Sequence, residues 1–355
     1  MGCYKCTTTP DFPTDTNTVY VWASHNYITE KIYNHFKNDF TYTYNQDYLL
    51  ININIKEFIH ALNDYKILTR HEEENTFVLP FNSKNEFSFS MVRDSKNLIY
   101  WLNLYKSSDL KWILDNESII TYFQPVIDIN TKKIKGYECL SRGIKKDGDI
   151  LNPSYMFNLA KKAEMVYFLD RLCRMSAIKT AHKYGITDSN IFINFTPSSI
   201  YNPEYCLKDT VNLVENLKLD IPNIVFEVVE FEKITEVDHL KDVLDYYRQK
   251  GFKVALDDVG EGYSSLKMLA ALKPDIIKLD TYLIKGIEAD SFKRAIVEHL
   301  VNLSKKLDIM VLAEGIETHQ ELETAVQLKV DLAQGYLFGK PAPKPVKTIP
   351  ALEQA

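Results

Sequence analysis

Short apolar runs alternate with longer amphipathic stretches over the last two thirds of the chain. Runs at 122–126, 135–140, 191–195, 225–230, 253–257, 275–279, 310–313 and 333–337 have the length and the β-branched or aromatic content of strands. Between them lie stretches of helical spacing, such as 238–249 and 291–307. Strand–helix alternation predicts parallel strands joined by crossover helices. One connection differs. Only the turn at Asn130, Thr131, Lys132 and Lys133 separates the first two runs, and a parallel crossover needs roughly a dozen residues or more. That pair must be a hairpin, so one strand runs antiparallel to the rest.

Residues 1–115 follow another pattern, rich in Tyr, Asn and Thr and poor in Gly. A strand at 19–22 leads through Ser24, a candidate N-cap, into a helix at 28–36. In 48–55, Leu49, Ile51, Ile53 and Ile55 share one face and Asn52 and Asn54 the other, which reads as a half-buried strand. A helix is expected at 56–65, short strands at 76–79 and 87–92, and an amphipathic connecting helix over 98–114. The chain is thus expected to be α/β: a small domain at 1–115, regulatory or sensory, then a (β/α)8 TIM-like barrel with one antiparallel strand at 116–355. Eight strands over roughly 225 residues match that barrel in size.

Composition narrows the function classes. The 355 residues are 45% hydrophobic, enough for a large core, and carry a formal charge of −6. The whole chain is therefore not a basic binder of nucleic-acid polymers. No apolar run is long enough to span a membrane. Residues 1–9 lack the apolar segment of a secretory signal, and the five cysteines form an odd set. Together these point to a reducing cytoplasm. Cys3 and Cys6 are either half of a zinc site, which His25, His35, His60 or His71 would have to complete, or two free thiols.

The candidate chemistry lies at strand ends. Six of the last seven strands finish in a carboxylate or carboxamide: Glu138, Asn194, Glu227, the pair Asp257 and Asp258, Glu314 and Gln334. Active sites of this barrel lie at that face. Oxygen ligands suit hard divalent cations such as Mg2+ and Mn2+, and two of them can clamp a phosphate ester. Singly, each position has a plainer reading. Asn194 can start a turn, Glu138 and Arg142 can be a surface ion pair, and Glu230 can be a helix-entry charge. Lys278 sits inside an apolar strand and needs a carboxylate partner, for which Asp280 is adjacent, or a role beside a water. Glu317 adds a further acid.

These motifs resemble the EAL domain, the bacterial phosphodiesterase of cyclic di-GMP, over residues 122 to about 343. The resemblance rests on Glu138-Cys139-Leu140 with Gln124-Pro125 before it and Arg142 after it. It rests also on the run from Asp257 to Ser265, on Lys278-Leu279-Asp280, on the segment Ala313 to Thr318, and on Gln334-Gly335-Tyr336. It implies hydrolysis of cyclic di-GMP to linear pGpG with two divalent cations, Mg2+ or Mn2+, in a protein that dimerises through the barrel. By resemblance, Glu138, Asn194, Glu227 and Asp257 hold one cation, and Asp257 bridges to a second that Asp258 helps bind. Lys278 and Glu314 orient or deprotonate the attacking water. Gln124 and Arg142 contact substrate, Glu230 anchors the loop after Asp258, and Gln334 completes the polar ring. Cys139 stands for the family's Ala, Val259 for its usual Phe and Glu261 for Thr or Ala; none removes a ligand, and the last two bear on the loop that couples metal to dimer. Two other readings are a silent cyclic di-GMP receptor or interaction module, and a glycosidase barrel, which would not need the Asn and paired-Asp cluster.

Overall fold

The computed structural model describes residues 8–85, 87–228, 237–260 and 265–349, with the side chains of residues 265 and 266 left aside. The chain forms two compact units, one built from residues 8–116 with 154–165, the other from 117–153 with 166–349.

In the first unit five strands form one antiparallel sheet: β1 (Thr18–Ala23), β2 (Tyr42–Asn45), β3 (Tyr48–Ile51), β4 (Thr76–Phe81) and β5 (Lys96–Asn97). Their order is β2-β3-β1-β4-β5. With the helices Asn26–Phe36 and Ile55–Tyr65 between strands, this is a split βαβ arrangement of ferredoxin-like type. Val19, Val21, Leu49, Ile51 and Val78 are buried, together with Ile28, Ile32 and Phe58 from the helices. Along the alternate positions Tyr20 stacks on Tyr48 at 4.8 Å and Trp22 on Phe77 at 5.8 Å.

Four local expectations need correction here. The strand expected to 55 stops at Ile51, because Asn54 turns its side chain onto the Lys56 N–H and caps the next helix. Segment 87–92 is not a strand; Phe89–Asp94 is a 3-10 turn started by Ser88. The expected long helix is two, Leu98–Lys106 and Ser108–Asp115, broken at buried Ser107. Ser24 does not cap the first helix; its hydroxyl bonds the Asn75 carbonyl instead, and His25 takes the cap position.

In the second unit the strands are β6 (Ile119–Asp128), β7 (Lys133–Ile144), β8 (Ile150–Leu151), β9 (Asn190–Phe195), β10 (Ile224–Val228), β11 (Lys253–Val259), β12 (Ile276–Leu279), β13 (Met310–Ala313) and β14 (Leu332–Gln334). The order β6-β14-β13-β12-β11-β10-β9-β7, with β6 also pairing β7, closes an eight-stranded barrel. β6 runs antiparallel to both neighbours, as the short hairpin required, and β8 is a two-residue flange on β7. Gly136 belongs to this closure, since a Cβ there would collide with the backbone of Asn190 where β7 meets β9.

Side-chain alternation explains where the site lies. Val126, Phe192, Val225, Ala255, Ile276, Leu312 and Leu332 form a separate buried cluster inside the barrel. Two positions further toward one end, on the same face of each strand, stand Gln124, Asn194, Glu227, Asp257, Lys278, Glu314 and Gln334. An apolar layer thus floors a polar one.

Candidate active site

Glu138 is the hub of the polar layer. Asn194 Nδ2 donates to its Oε1 at 2.9 Å and Gln334 Nε2 to its Oε2 at 2.6 Å. Gln124 lies directly opposite it across the hairpin. Burial alone would raise the Glu138 carboxyl, but the Lys278 charge and these two amides outweigh it and hold the carboxyl below its ordinary range.

Lys278 is 1% exposed. Its Nζ lies 2.8 Å from Glu314, 3.0 Å from Glu227, 3.1 Å from Asp257 and 3.9 Å from Glu138. Burial works against its charge, yet these four carboxylates raise its pKa well above the ordinary value. One ammonium does not satisfy them all. Burial, reinforced by the neighbouring acids, pushes Glu227 well up and Glu314 up to about 8.

The paired aspartates reach the site through a bulge. Adjacent residues of a regular strand face opposite ways. Here the pairing of β11 with β12 slips between Leu256 and Val259, and Asp258 takes a left-handed backbone, φ +52°. That conformation is uncommon for a residue with a Cβ and places both acids on one side. Ligand oxygens of Asp257, Asp258 and Glu314 lie within 4.8 Å of one another, as a metal site requires.

The donor set fits hard cations. Asn194 Oδ1, Gln334 Oε1 and Glu227 Oε2 are buried and lack a hydrogen-bond partner, a costly state that coordination would relieve; Glu227 Oε1 shares the Lys278 ammonium. Fully ionised, the four carboxylates about Lys278 and the adjoining Asp258 would leave a formal excess of four negative charges, the amount that two divalent cations balance.

Arg142 lies four residues beyond Glu138 on β7. Its guanidinium covers the Tyr122 ring at 5.3 Å and donates to the Ser141 carbonyl at 2.9 Å. Gln124 is buried, its Nε2 3.4 Å from the Gly339 carbonyl. Two expected residues stand elsewhere. Asp280 is not the partner of Lys278: it caps the turn Thr281–Ile284 through the Tyr282 N–H at 2.8 Å. The Glu317 side chain is exposed, and its N–H is tied to Glu321 at 2.8 Å. Glu230, Glu261, Cys3 and Cys6 lie outside the described residues. Cys139 is buried and Val259 is 2% exposed.

Two acids escaped the sequence reading. Glu321 accepts from the N–H groups of Gly286, Glu317 and Thr318, stapling the loop after Glu314 to a neighbouring turn. A signal was present, since Thr318-x-x-Glu321 is a capping box. Asp170, on the helix Val166–Lys183, pairs with buried Arg174; an acid inside an amphipathic helix gives no such signal.

The fold and the site together define an α/β barrel with an acid-lined, cation-compatible centre at the carboxyl ends of its strands. The chain belongs to the EAL domain family, whose pattern matches residues 108–341. Among curated proteins it is 31% identical over 238 residues to the "probable cyclic di-GMP phosphodiesterase PdeG" of Escherichia coli K12, covering 65% of this chain and 46% of PdeG. It is 28% identical to the "cyclic di-GMP phosphodiesterase PdeL" of the same organism, covering 65% of this chain and 64% of PdeL. The chain therefore spans about half to two thirds of these relatives. Among solved structures, a standalone EAL protein from Vibrio cholerae O395 in its c-di-GMP-bound form is 36% identical with TM-score 0.61, covering 67% of this chain and 98% of that one.

Proposed function

We propose that this chain hydrolyses cyclic di-GMP to linear pGpG with two divalent cations, Mg2+ or Mn2+, held in the barrel mouth. The observation that carries this reading is the set of buried, unpartnered Asn194 and Gln334 amide oxygens among carboxylates that a single ammonium does not balance. Named relatives that act on cyclic di-GMP support the substrate. Glu138, Asn194, Glu227 and Asp257 would hold one cation; Asp257 and Asp258, with Glu314 beside them, would hold the other. Bound there, the cations would acidify a water and stabilise the leaving oxygen.

The residues divide the remaining work. Lys278, kept protonated by four carboxylates, orients the water as a hydrogen-bond donor rather than abstracting its proton. Glu314, 2.8 Å from Lys278, would accept that proton once cation binding has displaced the one that burial holds on it. Arg142 is placed for phosphate recognition and Gln124 for a polar contact with substrate. We place the protein in the cytoplasm; no helix of the described residues is long and apolar enough to cross a membrane. We further assign it a homodimer through the barrel, for which exposed Tyr282, Phe292 and Ile296 offer apolar surface, and modulation by the N-terminal unit.

The test is incubation of the purified chain with cyclic di-GMP in Mg2+, Mn2+ and EDTA. Metal-dependent appearance of pGpG is expected, and Glu138→Ala should abolish it, because the hub that orients Asn194 and Gln334 is gone. Tight binding of cyclic di-GMP without turnover would turn the reading to a receptor.

A further inference from the structure

Asp170 is 1% exposed and far from any role in the chemistry above. Its Oδ1 accepts the Thr196 N–H at 2.8 Å and its Oδ2 the Ser199 hydroxyl at 3.1 Å, while Arg174, fully buried, pairs with it. The Ser199 hydroxyl also lies 2.7 Å from the Thr196 carbonyl. A buried ion pair of this kind is weak evidence for stability, since well-packed apolar residues often do as well. What it does fix is geometry. Thr196 is the first residue after β9 and Asn194 the penultimate residue within it. The Asn194 amide has one face on Glu138 and leaves Oδ1 buried and unpartnered. Its aim depends on the backbone direction with which β9 ends.

We propose that Asp170 is a positioning residue that locks the turn 196–199 so that Asn194 Oδ1 points into the cation site. It acts through Asn194 and touches neither cation nor substrate. The proposal rests on the reading that the ring binds divalent cations.

The test compares Asp170→Ala with Asp170→Asn, both in an Arg174→Met background so that no charge is left stranded. Asn keeps an acceptor for the Thr196 N–H; Ala does not. The readout is the Mn2+ dissociation constant from calorimetric titration, well below each variant's melting temperature, with kcat and KM for cyclic di-GMP alongside. The Ala variant should bind Mn2+ at least tenfold more weakly than the Asn variant and lose kcat with little change in KM. A merely structural role would lower the melting temperature and leave the affinity of the folded protein untouched. Equal Mn2+ affinity in the two folded variants would overturn the proposal. Should the Ala variant fail to fold, Ser199→Ala in the otherwise intact chain decides, with weaker Mn2+ binding expected and unchanged binding contradicting it. Failure of the intact chain to bind Mn2+ would instead sink the reading of the site.

Discussion

At the scale of single residues, Lys278 holds a position that follows from charge alone. Four carboxylates within 4 Å of one ammonium make it the counter-ion of the ring. Removing one partner of a buried charge cluster typically costs about 3–5 kcal/mol. Lys278→Met should therefore lower the melting temperature sharply in EDTA and recover part of the loss in Mn2+, because a cation can take over the balancing charge. An equal loss in both conditions would mean that packing of the lysine stem, not its charge, matters. The ring acids and Lys278 were legible in the sequence because each closes or interrupts an apolar run. The partners of Lys278 were not. Adjacency suggested Asp280, whereas closure of the barrel brings in Asp257 and Glu314 from the strand ends on either side and Glu227 from one strand further. Asp170 was hidden for a similar reason, its hydrogen bonds joining segments 26 and 29 residues apart.

Among elements, strand ends do the positioning. The stretch after β13 is tied to β14 by Ile316 N–H to the Gln334 carbonyl at 3.0 Å and by Leu337 N–H to the Ile316 carbonyl at 3.1 Å. This approach is possible because residue 335 has no side chain; a Cβ on Gly335 would run into the Ile316 backbone. Gly335→Ala should cost roughly 1–3 kcal/mol, as overpacking usually does. It should also reduce activity by displacing Gln334 from Glu138. Chemical denaturation with parallel kinetics checks both, and a stable, fully active variant would contradict the close-approach argument. Strand periodicity and the short hairpin made the barrel readable, down to its antiparallel strand. Local chemistry escaped that reading wherever one residue redirected the chain. Asn54 ends a strand by capping the next helix, Ser107 divides a long amphipathic run, and a left-handed Asp258 turns two alternating side chains to one side.

For the whole molecule, the polar layer sets stability against function. Burial and like charges raise Glu314 to about 8 from an ordinary 4.5, and move Glu227 the same way. The unfolded chain releases such a proton near 4.5, while the folded chain keeps it until about 8. Between those values the unfolded state binds fewer protons, so metal-free stability should fall as pH rises through that window. Glu138, held low, acts in the opposite sense, losing its contribution as pH falls through its folded value. A cation binding only the folded, deprotonated ring competes with these protons. At a hundred times its dissociation constant it adds about 2.7 kcal/mol. Saturating Mn2+ should thus raise the melting temperature more at pH 8 than at pH 5.5, where protons already quiet the ring. Thermal melts at the two pH values, each with Mn2+ and with EDTA, measure this directly. Equal shifts at both would mean that cation binding releases no protons from Glu314 and Glu227, and that the acids of this site are already ionised without it.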